Sequence, residues 1–365
     1  MIKILIADDS ETETKLLRYM IHSESDMEVI GCAKNGKEAV EMAKRLKPDL
    51  ITMDINMPVQ NGFEAIQAIM MNNPTPIVVI SSTVNDSGLN TAFLALDAGA
   101  LSVIDKPVNI QDPNFERVRK DMIDILRVMA EIKVVTKRPK IKAALDNIIS
   151  PNSKLCKRSY ELVAIGSSVG GPQALKNILS KLPADFPVPI VIVQHMTPGF
   201  IEGFCKWLNQ YSKLHVKCVG YNEILKSGNV YVAPDHHHFK IAHDSNNNLV
   251  AHLYKGEPVN GFHPSINVMF HSIARNFADK SIAMLLTGMG NDGSQGLLEI
   301  KQKHGHTLIQ DPESCVVFGM AGVAQSLGGA DTVVELDKIA DYLIKITGKY
   351  SRVRNNIDIP RLRSE

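Results

Sequence analysis

The sequence predicts an α/β protein of two units, each a parallel sheet wound by helices. Three observations predict it. Short apolar runs alternate with helical patterns along both halves of the chain. A basic stretch without glycine separates the halves. In both halves the polar residues that could carry chemistry follow strand ends, where ligands sit in such sheets.

In the first half the strands fall at Lys3 to Ala7, Leu50 to Met53, Ile77 to Ile80 and Leu101 to Ile104, with Met27 to Gly31 as a weaker second strand. Phe115, Val118, Met122, Ile125, Met129 and Ile132 then recur at steps of three and four, so they share one face of a helix. This helix runs toward the basic stretch. Between Lys133 and Arg158 there are eight Lys or Arg against one acid, Asp146, and no glycine occurs between Gly99 and Gly166. A solvated connector explains such a run better than a docking surface does, and Pro139 and Pro151 limit how far the helix continues. Strands of the second half include Leu162 to Ile165, Ile190 to Val193, Asn229 to Ala233 and Ile282 to Leu286. Strand and helix alternation implies right-handed crossovers in both sheets.

Composition narrows the setting. The length of 365 residues suits two domains or three. Forty Lys and Arg against 39 Asp and Glu leave a formal charge of +1, so no global field draws the chain to nucleic acid or anionic lipid. No apolar stretch approaches the ~18 residues of a membrane span, and the first residues carry no secretory signal pattern. The five cysteines (32, 156, 205, 218 and 315) are scattered and never form CxxC. They argue against a disulfide framework or a zinc site and for a reducing, cytoplasmic setting.

Asp8 and Asp9 follow the first strand, Asp54 the third, Ser81 and Ser82 the fourth, and Lys106 with Pro107 the fifth. Converging carboxylates repel unless a hard cation shares them, and an oxygen site of this kind suits Mg²⁺. A carboxylate could then attack a phosphoryl group in line, with Lys106 on the phosphate oxygens and the Ser81 hydroxyl free to swing toward a new phosphate. One acid at a strand end would be an ordinary solvated residue. Four separated elements together are not.

These residues resemble the receiver domain of two-component response regulators, through Asp8 and Asp9, the segment Met53 to Pro58 with Gly62 after it, Ser81 and Lys106-Pro107. The resemblance covers about Met1 to Ile125 and implies a flavodoxin-like (βα)5 domain. It also implies that Asp54 accepts phosphate from a histidine kinase and that Asp8 and Asp9 join it as Mg²⁺ ligands.

In the second half, Gly166, Ser168 and Gly170 satisfy GxSxG between a strand and a helix. Such a turn can present a serine hydroxyl, and its N–H groups can hold an oxyanion. Alone, the pattern also fits a plain glycine turn. A serine nucleophile needs a base, and strand Ile190 to Val193 leads through Gln194 to His195. Strand Ile282 to Leu286 opens into Thr287-Gly288-Met289-Gly290-Asn291-Asp292-Gly293, which offers Asp292 to orient an imidazole. The chain order of serine, histidine, acid excludes the α/β-hydrolases. Gly288, Gly290 and Gly293 also fit GxGxxG, although Asp292 would face a bound pyrophosphate with like charge. A P-loop is excluded because no GK[ST] follows. The run His236 to His238 reads as a surface loop rather than a metal site, since adjacent side chains on extended chain diverge. Trp207 reads as core, and Gly261 to Asn267 as a border of the site without an assigned role.

Ala164 to Gly171, Gln194-His195-Met196 and Thr287 to Gly293 resemble the catalytic domain of the chemotaxis protein-glutamate methylesterases, the CheB family, over roughly Arg158 to Thr347. The resemblance implies that Ser168 is the nucleophile, His195 the general base and acid, Asp292 the orienter and the Met289 N–H an oxyanion donor. Where members often carry Thr after the serine, this chain has Val169.

The expected organisation is therefore a receiver domain at 1–125, a basic and partly helical linker at 126–157, a doubly wound, mostly parallel catalytic domain at 158–350, and a basic tail at 351–365. The family implies demethylation of glutamate methyl esters on chemoreceptors, with deamidation of certain glutamines. No cofactor is expected for the esterase step, and the chain is expected to be a cytoplasmic monomer without nucleic-acid partners or membrane insertion. The rival expectation is a response regulator whose output domain binds a nucleotide or partner without catalysis. A helix-turn-helix output is disfavoured, because no compact basic recognition helix follows Arg158.

Overall fold

The protein was analysed as a computed structural model, which describes residues 1–81, 93–107, 110–132 and 159–348. The linker beyond residue 132, the tail at 351–365 and Ser82 lie outside the described residues.

The first unit runs β1 (Ile2–Ala7), α1 (Glu11–His22), β2 (Met27–Ala33), α2 (Gly36–Leu46), β3 (Leu50–Met53), α3 (Gly62–Asn72) and β4 (Ile77–Ser81). A helical segment α4 at 93–98, β5 (Ser102–Asp105) and α5 (Phe115–Ala130) complete it. Local chemistry starts the helices: the side chains of Ser10, Asn35 and Asn61 accept from the N–H groups of Glu13, Glu38 and Glu64 at the first turns of α1, α2 and α3. The strands pair in parallel in the order β2-β1-β3-β4-β5. Helix α5 continues past the expected boundary at residue 125, because Leu126 and Met129 extend its buried stripe. That helix therefore occupies the start of the expected linker.

The second unit comprises β6 (Leu162–Ser167), α6 (Gly171–Leu179), β7 (Ile190–Gln194), α7 (Ile201–Tyr211), β8 (His215–Cys218) and β9 (Asn229–Val232). Then come β10 (His238–His243), β11 (Leu249–Tyr254), α8 (Ile266–Asn276), β12 (Ser281–Leu285) and α9 (Ser294–Gln302). It ends with β13 (His306–Gln310), α10 (Met320–Ser326), β14 (Thr332–Val334) and α11 (Leu336–Thr347). Seven strands form a parallel sheet in the order β14-β13-β12-β6-β7-β9-β8, while β10 and β11 make a separate antiparallel hairpin. The central strands β12, β6 and β7 are buried along their whole length. Helices on both faces explain their continuous apolar runs, and each buried Ile or Leu contributes about 1.5–3 kcal/mol.

The histidine run is not the surface loop that its sequence suggests. His236 is exposed, His237 is half-buried, and His238 opens β10 with 1% exposure. Alternation along the chain turns one imidazole inward, where its Nδ1 accepts from the Ser265 N–H at 3.3 Å and its Nε2 bonds the Glu257 carbonyl at 2.9 Å.

The two units meet through α4 and α7. Phe93 is 1% exposed and stacks on Trp207 at 5.5 Å between centroids, with Phe204 at 5.8 Å and Phe200 at 6.4 Å. Asp97 accepts from the Lys176 ammonium at 2.5 Å, the Trp207 indole at 3.1 Å and the Tyr211 hydroxyl at 2.6 Å. Burial works against the Asp97 charge, yet these donors hold its carboxyl below the usual range. Trp207 is thus core, as its sequence context suggests, and its core is the joint between the units. A Phe93→Ala substitution removes the ring at the centre of this joint. Amide hydrogen exchange should accelerate along α7 while α8, on the far side of the sheet, keeps its protection; unchanged exchange in α7 would contradict the assignment.

Candidate active site

At the ends of β1, β3 and β5 the first unit gathers its acids around one lysine. Asp8, Asp54 and Ser81 are 4%, 5% and 3% exposed. Lys106 Nζ lies 3.1 Å from Asp54 Oδ2 and 3.6 Å from Asp8 Oδ2, and it also bonds Glu13. Carboxylate oxygens of Asp8, Glu13 and Asp54 lie within 4.8 Å of one another. Asp9 is exposed and stands apart from this group, at a cavity that it lines together with Asp8. Glu13 was not legible as a member, because only the folded first turn of α1 carries it back over Asp8.

The crowding has a measurable consequence. Burial pushes the Asp8 carboxyl up to about 7, against the bond from the Ser10 N–H and the Lys106 charge, while Glu13 and Asp54 add to the rise. Asp8 Oδ2 is buried and accepts no hydrogen bond. A buried oxygen short of a donor, facing other carboxylates, suits a hard divalent cation. Lys106 loses some of its charge preference to burial, but Glu13, Asp54 and Asp8 outweigh that and hold it protonated.

In the second unit the strand order decides which loops meet. Strand β6 lies between β12 and β7, so the segments after these three neighbours converge at one edge. Ser168 follows β6, His195 follows β7 and Asp292 follows β12. The Ser168 N–H donates to the Thr287 carbonyl at 3.1 Å, and the His195 N–H donates to the Ser167 carbonyl at 2.9 Å. A Cβ on Gly288 would lie 2.7 Å from Ser168 Cβ and 2.3 Å from Met320 Cε, so only glycine lets the β12 loop approach the serine this closely. Gly170 holds φ at +76° in the serine turn, with Val316 against the place of its missing Cβ.

Asp292 is fully buried and well supplied with donors. Its carboxylate accepts from the Ser265 hydroxyl at 2.9 Å, the Ile266 N–H at 2.7 Å, the Asn267 N–H at 3.0 Å and His195 Nε2 at 2.9 Å. Burial raises the cost of its charge, but His195 and the backbone donors at the start of α8 overcome that and depress its pKa. Because Asp292 takes Nε2, the nitrogen left for proton transfer is Nδ1, which is buried and makes no hydrogen bond. No bond joins Ser168 Oγ to His195 among the described residues; such contacts commonly tighten only when substrate binds. Phe262 lies flat on the imidazole, 4.0 Å away and tilted by 6°.

Gln194 joins the two loops. Its amide donates to the carbonyls of Ser168 at 2.8 Å and His195 at 2.7 Å, and its oxygen accepts from the Ser167 hydroxyl at 2.6 Å. Met289 is half-buried next to Gly288, and its N–H has no acceptor among the described residues. The pyrophosphate alternative loses its basis here. The Gly288 N–H is bonded to Val317 and its carbonyl to Gly319 and Met320, while Asp292 points into the protein. Val169 contributes its carbonyl to the Thr287 hydroxyl at 2.9 Å, and its side chain packs on the apolar cluster of the first unit.

Two sites of this kind, on the carboxyl ends of two joined parallel sheets, place the protein among response regulators with a hydrolase-like output domain. Comparison with known proteins narrows this. Residues 4–113 match the response regulator receiver domain and residues 163–343 match the CheB methylesterase family. A protein-glutamate methylesterase/protein-glutamine glutaminase of Nitrosospira multiformis is 42% identical over 96% of this chain and 98% of its own. One of the same description from Halalkalibacterium halodurans is 36% identical over 94% and 98%. The crystal structure of the Thermotoga maritima CheB methylesterase catalytic domain is 39% identical, covers 52% of this chain and 99% of that one, and superposes with a TM-score of 0.50. The chain belongs to the CheB methylesterase family, with the family's receiver domain at its start.

The depressed Asp292 pKa gives a signed expectation. Its stabilisation is present above the ordinary carboxyl value of about 4 and is lost as pH falls through the lower folded value. Urea denaturation of the second unit should therefore show a steeper loss of stability below about pH 4 for the wild type than for Asp292→Asn; parallel curves would refute the assignment.

Proposed function

We propose that the protein is a phosphorylation-activated serine esterase that hydrolyses glutamate methyl esters on chemoreceptors and deamidates certain receptor glutamines. The observation that carries this reading is the buried Asp292 carboxylate on His195, one strand away from Ser168, in a chain that aligns with named methylesterases over nearly its whole length. No helix among the described residues is long and apolar enough to cross a membrane. The proposed enzyme acts in the cytoplasm, as a monomer, on the exposed helices of its receptors.

Ser168 Oγ attacks the ester carbonyl while His195 Nδ1 takes its proton. Negative charge collects on the carbonyl oxygen, to which the Met289 N–H, without an acceptor among the described residues, would donate. The bond to the methoxy oxygen then breaks, and His195 returns its proton so that methanol leaves. Water repeats the sequence on the acyl-enzyme and releases glutamate. With glutamine, ammonia leaves instead. Asp292 holds the imidazole with Nε2 protonated and Nδ1 open, and it stabilises the imidazolium.

In the receiver, Asp54 accepts the phosphoryl group supplied by a histidine kinase. Mg²⁺ would be held by Asp8, Asp9 and Asp54, Asp9 lining a cavity with Asp8; when bound it would neutralise these carboxylates and the incoming oxygens. Lys106 would release Glu13 to pair with the phosphate, and the Ser81 hydroxyl would turn to it. The Val169 side chain, next to Ser168, rests on the receiver's apolar cluster, which supports a receiver that restrains the catalytic edge until its acids change state. Activation is then a shift between populations.

Methanol release from methylated receptor membranes should fall by about 10³-fold or more in Ser168→Ala, and full activity in that variant would end the esterase reading. For the switch, the ratio of release with and without a small phosphodonor such as acetyl phosphate should drop to about one in Asp54→Ala. Continued stimulation would move the phosphorylation site elsewhere.

A further inference from the structure

Cys205 on α7 and Cys218 at the end of β8 place their sulfur atoms 3.5 Å apart. They are not bonded to each other. The contact is built in: Cys205 is 5% exposed inside the α7 face that packs on the sheet, and the Asn209 side chain of α7 accepts from the Val216 N–H of β8 at 2.9 Å. Strand β8 is the edge of the sheet and Cys218 is half-buried, so a small oxidant can reach its sulfur. The other described cysteines lack such a partner. Cys32 meets the Arg18 guanidinium, and Cys315 meets the Gln310 carbonyl.

We infer that Cys205 and Cys218 form a redox modification site, in which hydrogen peroxide converts the two thiols to a disulfide that ties α7 to β8. The chemistry balances. The Cys218 thiol gives its proton to solvent, its sulfur attacks one oxygen of hydrogen peroxide, the O–O bond breaks, and a sulfenic acid forms as hydroxide leaves. Cys205, giving its proton to that hydroxide, attacks the sulfenic sulfur; the S–S bond forms, the S–O bond breaks, and the departing hydroxide takes up the proton that Cys218 released and leaves as a second water. Two thiols are oxidised and one peroxide is reduced to two waters. The roles follow from position. Cys218 is the less buried residue of the pair, and the contact with Cys205 holds its thiol below the ordinary value against burial and the charges of Glu202 and Asp235. Reversible pairs of this type are the form in which disulfides occur in reducing compartments.

A bond at this place bears on regulation, because α7 carries Phe204, Trp207 and Tyr211, which meet Phe93 and Asp97 of the receiver. Closing the sulfur separation from 3.5 Å to the ~2.05 Å of a disulfide takes about 1.5 Å of movement, shared between the two side chains and the segments of α7 and β8 that carry them. Packed ring contacts do not stretch by that amount without repacking. Oxidation therefore alters the receiver contact from its inner side, independently of Asp54. This regulatory half rests on the esterase reading; the chemical half does not.

The test treats the reduced full-length chain with hydrogen peroxide and maps peptides without reduction. The expected result is a Cys205–Cys218 link that dithiothreitol removes, with a sulfenic-acid trap labelling Cys218 in Cys205→Ser and leaving Cys205 unlabelled in Cys218→Ser. A folded chain that gives no such link, or links these cysteines equally to others, overturns the site. In parallel, the phosphodonor stimulation ratio should differ at least twofold between oxidised and reduced wild type and not at all in Cys205→Ser. An unchanged ratio in a chain that carries the link overturns the regulatory role. If the link forms and no methanol is released under any condition, the esterase reading fails while the modification site stands.

Discussion

The second unit is organised around one buried charge. Asp292 has no exposed surface, and an isolated carboxylate there would cost several kcal/mol. The cost is met by directed donors: the first N–H groups of α8, the Ser265 hydroxyl and the His195 ring. Each donor is thereby fixed with respect to the end of β12. The requirement that Asp292 be satisfied locates the start of α8, sets the plane of the imidazole and decides which nitrogen is left open. Phe262 then covers the ring, and His238 supports the Ser265 backbone from behind. The site is a consequence of neutralising one buried acid.

Topology supplies the rest. Both sheets reverse their direction of growth, between β1 and β3 in the first and between β6 and β12 in the second. Loops leave in opposite directions at such a point, which opens a crevice at the carboxyl ends of the strands. Asp8 and Asp54 flank one crevice, and Ser168 and Asp292 flank the other. Gly288 matters for the same reason: without its hydrogen in place of a side chain, the β12 loop could not close against the β6 turn.

Residues that follow strands were legible in the sequence, because short apolar runs mark the strands and polar residues gather in the loops after them. Ser168, His195, Asp292, Asp8, Asp54 and Lys106 all stand at such positions. Residues brought in by tertiary approach were not. Gln194 reads as the last residue of a strand, and nothing in its neighbourhood announces that its amide clamps two loops. Phe262 and Ser265 lie in a segment whose proximity to the site depends on the β10–β11 hairpin and on α8. Strands β8 and β14 are short and lie at the sheet edges, so their apolar pattern is weak. His238 is instructive. The alternation that rules out a three-histidine metal site also requires one of three consecutive side chains to face inward, and that one is core.

The two acidic centres are built on opposite principles, and this difference suits a switch. Asp292 has all its donors inside the fold, so its geometry does not wait on any ligand. Asp8 has an oxygen with no donor and a pKa raised to about 7, with one lysine shared among three carboxylates. The receiver centre is therefore incomplete in the way that a cation and a phosphoryl group would complete. Any charge added at Asp54 must draw on Lys106, which follows β5, and Ile104 of that strand belongs to the apolar cluster on which Val169 rests. Val169 is bonded through its carbonyl to Thr287 and is the neighbour of Ser168. A signal using this contact reaches the serine turn without disturbing the Asp292 cradle, so the catalytic geometry can stay fixed while access to it changes.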